Sequence, residues 1–251
     1  MHEDKQHLFS YLEAKESRQL EKIERSLRER YRFDAFAQAS SVIDYRDNLY
    51  LLAALSTLED VLELPGKKIR TLDIGSKNWN YVYGLKQFFK YVCDGQGRQV
   101  DLCGVEIDGY GIYHDLHSRC DHARAYAEQV CEGGDSAEYR VENFVTSHYD
   151  KMDVVTLFYP FILEEAFKRW GLPERYFEPR TILAKALAVM SDDGVLIVTN
   201  QTGLEVTRLN EHIQALNAVV VAQIPMRFKL VHYFEQTQER VISLLKKSSA
   251  R

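Results

Sequence analysis

The chain has 251 residues, 45% of them hydrophobic and 27% charged, with a formal net charge of -5. That length holds one large core with room for a small appendage, and the composition excludes a disordered chain. The acidic balance excludes a surface built mainly to neutralise phosphates, so nucleic acid is not expected as a partner.

The N-terminal stretch MHEDKQHLFSYLEAKESRQ lacks a basic segment followed by an apolar one. No apolar run approaches the ~20 residues needed to cross a bilayer, so no membrane association is expected. Cys93, Cys103, Cys120 and Cys131 form no CxxC pair and are too few for a disulfide scaffold. Thiols in a reducing compartment, and hence a cytoplasmic protein, are the expectation.

In chain order, the charge-dense segment from about Leu8 to Tyr31 places Leu20, Ile23, Leu27 and Tyr31 at helical spacing. Ser41 followed by Asp44 has the form of a capping box. The helix it opens turns Leu51, Leu55, Leu58 and Leu62 inward, and Pro65-Gly66 ends it. Residues 1–66 therefore read as an N-terminal helical cap, and 67–251 as the main body of one compact unit.

From Lys67 the rhythm changes to seven short apolar runs: KIRTLDIG, VDLCGVEID, AEYRVENF, KMDVVTLFY, GVLIVTN, AVVVAQI and ERVISLLKK. Continuous Val, Ile and Leu runs suit strands buried on both faces, and helical patterns lie between most of them. The last two runs have no clear helix between them and suit an antiparallel hairpin. The expected fold is α/β: a doubly wound, mostly parallel seven-stranded sheet with that hairpin at its C-terminal end, helices on both faces and the helical cap.

In such sheets ligands sit beyond the carboxyl ends of the strands, where strand order reverses. The first strand ends in Asp73-Ile74-Gly75, the second in Glu106, the third in Glu142-Asn143-Phe144 and the fourth in Phe158-Tyr159-Pro160-Phe161. Gly75 allows a sharp turn and a close ligand approach. Ser76 and Asn78 can cap the next helix. Glu106 is placed to accept hydrogen bonds from a ribose diol, and Asn143 offers an amide to a purine edge.

With LDIGSKNW, GVEID, YRVENF, MDVVTLFYPF, DDGVLIVTN and the terminal hairpin in this order, the chain from Lys67 onward resembles the class I S-adenosylmethionine-dependent methyltransferases. The resemblance implies S-adenosyl-L-methionine as cofactor. Asp73, Gly75 and Ser76 would lie on the methionine side, Glu106 at the ribose, and Asn143 with Phe144 at the adenine. It departs from the family at the first loop, which continues Ser76-Lys77-Asn78 instead of carrying further glycines. Backbone amides at the following helix's N-terminus would then meet the methionine carboxylate.

FYPF stands where amino-group methyltransferases of this fold carry Asn-Pro-Pro-aromatic. Its Phe158 in place of Asn does not support transfer to a planar nitrogen. Phe158, Tyr159 and Pro160 are the candidate substrate residues, with core packing the competing role for Tyr159. The expected activity is methyl transfer to a small-molecule acceptor, with no catalytic base identifiable. A non-catalytic binding or regulatory protein on the same scaffold is the alternative. A nicotinamide oxidoreductase is disfavoured by the absence of GxGxxG.

Tyr45 and Asn48 are read by analogy as a lid over the cofactor. His114, His117, Cys120 and His122 crowd one segment, but with neither CxxC nor HExxH no metal is expected.

Overall fold

The computed structural model describes residues 5, 8–93, 97–226 and 240–248. Helix α1 spans Ala14–Arg30 and buries Leu20 and Leu27, with Tyr31 buried at its end. Ile23 lies at the rim, 37% exposed. The buried stripe passes through Glu24 instead, whose carboxylate accepts the Tyr45 hydroxyl. A short helix not expected from the sequence, α2 (Asp34–Ala39), precedes α3 (Val42–Ser56).

The Ser41 hydroxyl caps α3 by accepting from the Asp44 N–H at 3.0 Å, satisfying one of the helix's orphan donors. The helix ends at Ser56 and not at Pro65-Gly66. Leu58 and Leu62 are buried from the turns that follow, so their apolar spacing outlasts the helix that seemed to produce it.

Seven strands form one sheet: β1 (Lys68–Ile74), β2 (Gln99–Glu106), β3 (Ser136–Val141), β4 (Met152–Phe158), β5 (Met190–Asn200), β6 (Ala218–Pro225) and β7 (Val241–Lys247). Their order is β3-β2-β1-β4-β5-β7-β6, parallel through β5, with β7 antiparallel to both β5 and β6. The connection between β6 and β7 falls largely outside the described residues.

The period of two along each strand sorts its side chains between two apolar layers. Ile69, Val100, Leu102, Val154, Val195 and Ile197 face α1, α3, α4 (Val82–Tyr91) and α5 (Arg119–Val130). Leu72, Val105, Val155, Leu157, Leu196 and Val198 face α7 (Pro179–Val189) and α8 (Gly203–Ala215). The sheet is therefore doubly wound, as its continuous apolar runs require.

From β1 the chain winds outward through β2 and β3 on one side and returns to β4 and β5 on the other, so strand order reverses at β1 and a crevice opens beyond its carboxyl end. Residues 159–178, containing the short helix α6 (Glu164–Trp170) and a single 3₁₀ turn at Glu174–Tyr176, pass over that end of the sheet. Among the described residues, no helix is long and apolar enough to cross a membrane.

Candidate functional site

The loop after β1 has a backbone that its sequence disguises. Gly75, Lys77 and Trp79 all have left-handed φ, at 75°, 54° and 55°. This alternation is easy for glycine and costs other residues roughly 1–2 kcal/mol each. The glycines are missing at 77 and 79, but the conformation that would favour them is present.

Surrounding contacts hold it. Trp79 is fully buried, with its indole against Gly104, where an added Cβ would lie 2.8 Å from the ring. Its Nε1 donates to Asp73 Oδ2 at 2.9 Å. The Lys77 N–H donates to Glu106 Oε2 at 2.9 Å, and the Lys77 carbonyl accepts from the Tyr139 hydroxyl.

Asp73 is the hub of this arrangement. Besides Trp79, its carboxylate accepts from the Tyr81 hydroxyl at 2.8 Å and the Thr156 hydroxyl at 2.6 Å. Burial pushes its pKa up to about 6; these three hydrogen bonds oppose the rise and the nearby Glu106 charge adds to it. Asp73 lies behind the wall of the crevice, not on it.

Ser76 is also set back. Its hydroxyl donates to the Val105 carbonyl at 3.3 Å, which already accepts the N–H groups of Gly75 and Ser76 at 2.9 and 3.2 Å. Neither Ser76 nor Asn78 caps α4, which begins beyond Tyr81 without a side-chain cap. With the amides of residues 75, 76 and 77 engaged, the expected amide cradle for a carboxylate is not formed by them.

A cavity of about 540 Å³ occupies the crevice and brings Gly75, Glu106, Asn143, Phe144, Phe158, Tyr159 and Pro160 together. Space beside Gly75 is open: an added Cβ would meet nothing within 4 Å. Glu106 Oε1 accepts from the Asp108 N–H at 2.9 Å, so its two oxygens hold two backbone donors against about four lone-pair sites. The Asn143 side-chain Oδ1 accepts from the Val145 N–H at 2.9 Å, fixing the side chain in an Asx turn. Phe144 is buried against Tyr149, with ring centroids 5.4 Å apart.

Tyr159 holds left-handed φ, 54°, an uncommon state for a bulky residue. Its N–H donates to the Thr199 carbonyl and hydroxyl oxygens at 3.2 and 2.9 Å. The side chain borders the cavity, and its hydroxyl lies 2.7 Å from that of Tyr50, to which Arg240 Nη1 donates at 2.9 Å.

Several cavity residues escaped the sequence reading. Asp47, Tyr50, Leu51 and Ala54 of α3 line it at the spacing i, i+3, i+4, i+7. Tyr45 and Asn48, read as a lid, point elsewhere: Tyr45 is fully buried on Glu24, and Asn48 bridges Asn80 O at 2.7 Å and Gly84 N at 2.7 Å. The spacing on α3 was a usable signal. Arg240 gave none, because only the closing of the β7 register brings it to Tyr50.

The histidine segment resolves differently. His114 and His117 precede α5 and share no helical face with Cys120, which is buried. His122 Nε2 lies 2.9 Å from Asp115. Among the described residues, no group of three His, Cys, Asp or Glu is arranged to hold a metal ion.

No family model matches the chain, and no curated protein matches it by sequence. Solved structures match it by fold. A protein from Listeria monocytogenes, provisionally assigned as a class I S-adenosylmethionine-dependent methyltransferase, aligns over 92% of this chain and 69% of its own at 13% identity, with a TM-score of 0.55. An S-adenosylmethionine-dependent methyltransferase from Clostridium acetobutylicum aligns over 84% and 94% at 7% identity and a TM-score of 0.50. The [4+2]-cyclase SpnF aligns over 80% and 82% at 12% identity and a TM-score of 0.53. With its strand order and antiparallel end, the chain has the Rossmann-like fold of the class I S-adenosylmethionine-dependent methyltransferases.

Proposed function

We propose that the protein is an S-adenosyl-L-methionine-dependent methyltransferase that acts on a small-molecule acceptor in the cytoplasm. The observation that carries this reading is the convergence of Gly75, Glu106 and Asn143 on one cavity at the strand-order reversal. The residues present fit the cofactor. Glu106 has acceptor capacity left for ribose hydroxyls, Asn143 and Phe144 border the space for a purine, and the open side of Gly75 admits a ligand against the backbone. Asp47 supplies a carboxylate for the ammonium group.

When bound, the cofactor supplies a methyl group on a sulfonium; an acceptor atom gains that methyl as the carbon–sulfur bond breaks and its electron pair stays on sulfur. The chain's own contribution is alignment and exclusion of water, with reacting atoms about 3–3.5 Å apart. The four cysteines are all free thiols, which suits a reducing compartment.

Titration calorimetry with S-adenosylhomocysteine tests the reading. Binding near one equivalent is expected; no heat at millimolar ligand would reject it.

A second reading, a non-catalytic binding protein, is favoured by the engaged amides of residues 75–77 and by the internal use of Asp73. The match to a [4+2]-cyclase also shows that this fold alone does not fix the reaction. Transfer of labelled methyl from S-adenosylmethionine into a small-molecule fraction of cell extract would exclude the non-catalytic reading.

A further inference from the structure

One stretch of chain builds an aromatic side to the cavity. It carries Phe161 in the loop after β4, Phe167 and Trp170 on α6, and Phe177 after the 3₁₀ turn. The i, i+3 spacing puts Phe167 and Trp170 on one side of their helix, and Phe161 meets both, with ring centroids 5.6 and 5.7 Å away. Phe167 meets Phe177 in turn at 5.3 Å. Edge-on and tilted contacts of this kind fix the rings against one another, and all four border the cavity.

A single carboxylate interrupts this apolar wall. Glu178 follows Phe177, borders the cavity and is half-buried. Its backbone is engaged: the N–H donates to the Tyr176 carbonyl at 3.0 Å, and the carbonyl accepts from the Ile182 N–H at 2.9 Å. Its side chain does not cap α7, and among the described residues no hydrogen bond or ion pair reaches its carboxylate. The other carboxylates of the cavity differ. Glu106 holds two backbone N–H groups, Glu142 accepts from the Tyr149 hydroxyl at 2.6 Å, and Asp47 accepts from Asn80 at 2.8 Å.

A carboxylate beside apolar rings has lost part of its water and has about four lone-pair sites to fill. An ammonium fills them through charge-assisted hydrogen bonds and gains further from the negative faces of the rings. Charge elsewhere in the cavity points the same way. Among the described residues that border it, Asp47, Glu106, Glu142 and Glu178 stand against Lys77 alone, an excess that attracts a cation and repels an anion. The Lys77 ammonium lies 5.5 Å from the Trp170 ring centroid, and Arg119, paired with Asp108, stands over the same ring at 5.1 Å. The wall thus already takes cations at Trp170, whereas Glu178, at the Phe177 end, has none. Arg240 donates to Tyr50 and does not itself border the cavity.

We propose that this arm binds an amine carried on an aromatic body, its ammonium donating to the Glu178 carboxylate and its ring lying against Phe161 and Phe177. Glu178 is thereby a binding residue that selects the ligand. The inference deepens the methyltransferase reading by naming a class of small molecule, and it rests on that reading wherever the amine is called the acceptor.

Titration of the full chain with 1-naphthylmethylamine, 1-naphthylmethanol and 1-naphthoate, each with and without saturating S-adenosylhomocysteine, tests it. The three probes share a ring and differ in charge. The amine is expected to bind about tenfold or more tightly than either of the others. Glu178→Gln keeps the shape of the side chain and removes its charge; it is expected to weaken the amine about fivefold or more while the alcohol stays within about twofold. A merely structural role for Glu178 would weaken amine and alcohol alike. Tighter or equal binding of the alcohol or the acid to the unaltered chain overturns the inference, as does an unchanged amine affinity, or an equal loss of amine and alcohol, in the variant. The two claims fail separately. S-adenosylhomocysteine binding without amine binding rejects only the amine inference, and amine binding without S-adenosylhomocysteine binding rejects the methyltransferase reading and with it the name acceptor.

Discussion

Two loops leave the sheet at the strand-order reversal, and they spend their polar groups in opposite ways. After β1, residues 73–81 turn inward: Asp73 accepts from three side chains, and the amides of Gly75, Ser76 and Lys77 donate to β2 or its end. After β4, residues 158–161 turn outward and present aromatic rings and a phenol to the cavity. Both carry non-glycine residues with left-handed φ, Lys77 and Trp79 in the first and Tyr159 in the second. Strain in the first loop is held by burial of Trp79 and by the backbone hydrogen bonds of Lys77 to Glu106 and Tyr139. In the second it is held by two hydrogen bonds from Tyr159 N–H to Thr199. The first loop uses its polar groups on its own framework; the second borders the cavity with its side chains.

The contrast is broken most strongly at Trp79. Trp79→Ala empties a fully buried site beside Gly104 and removes a donor to Asp73, and is expected to cost about 3–5 kcal/mol in a denaturant titration. A loss below about 1 kcal/mol would show that the first loop is not held by that side chain.

The next largest effect is a pH dependence. The Asp73 pKa is raised from 3.8 to about 6, so the folded state binds a proton more readily than the unfolded chain. The stability this proton contributes is fully present below pH 3.8 and is lost as pH rises through about 6, a change on the order of 3 kcal/mol. Comparing melting temperatures of the unaltered chain and Asp73→Asn from pH 4 to 7 isolates it: this component of the slope is absent in the variant. Parallel profiles would contradict the assignment.

Lys77→Gly keeps the left-handed backbone without its steric cost. Relief of about 1–2 kcal/mol, less the entropy that glycine loses on folding, leaves a gain of about 0.5–1 kcal/mol in the same titration. A loss would mean that the Lys77 side chain, 5.5 Å from the Trp170 ring centroid, matters more than its backbone strain. Smallest is Tyr159→Phe, which removes one hydroxyl near the surface of the cavity and is expected to change stability by about 1 kcal/mol or less. A larger loss would place the second loop with the first, as framework.

Much of this fold could be read from the sequence because apolar periodicity records burial. Seven Val/Ile/Leu runs became seven strands, and Ser41 became the cap of α3. The site was legible where strand ends bring residues together, as with Glu106, Asn143 and Tyr159. It was not legible where hydrogen-bond partners decide the direction of a side chain: Asp73 and Ser76 stand at the right strand end but face inward. Loop conformation was hidden for a related reason. The left-handed states of Lys77 and Trp79 are imposed by tertiary contacts, against local preference.

The central claim is that the wall built on the first loop holds an adenosyl compound, with Glu106 on its ribose and Tyr159 outside it. Calorimetric titration of S-adenosylhomocysteine into the unaltered chain, Glu106→Ala and Tyr159→Phe tests this directly. The account predicts binding near one equivalent, at least tenfold weakening in Glu106→Ala, and a change within twofold in Tyr159→Phe. No binding to the unaltered chain at millimolar ligand, or equal affinity in Glu106→Ala, would contradict it.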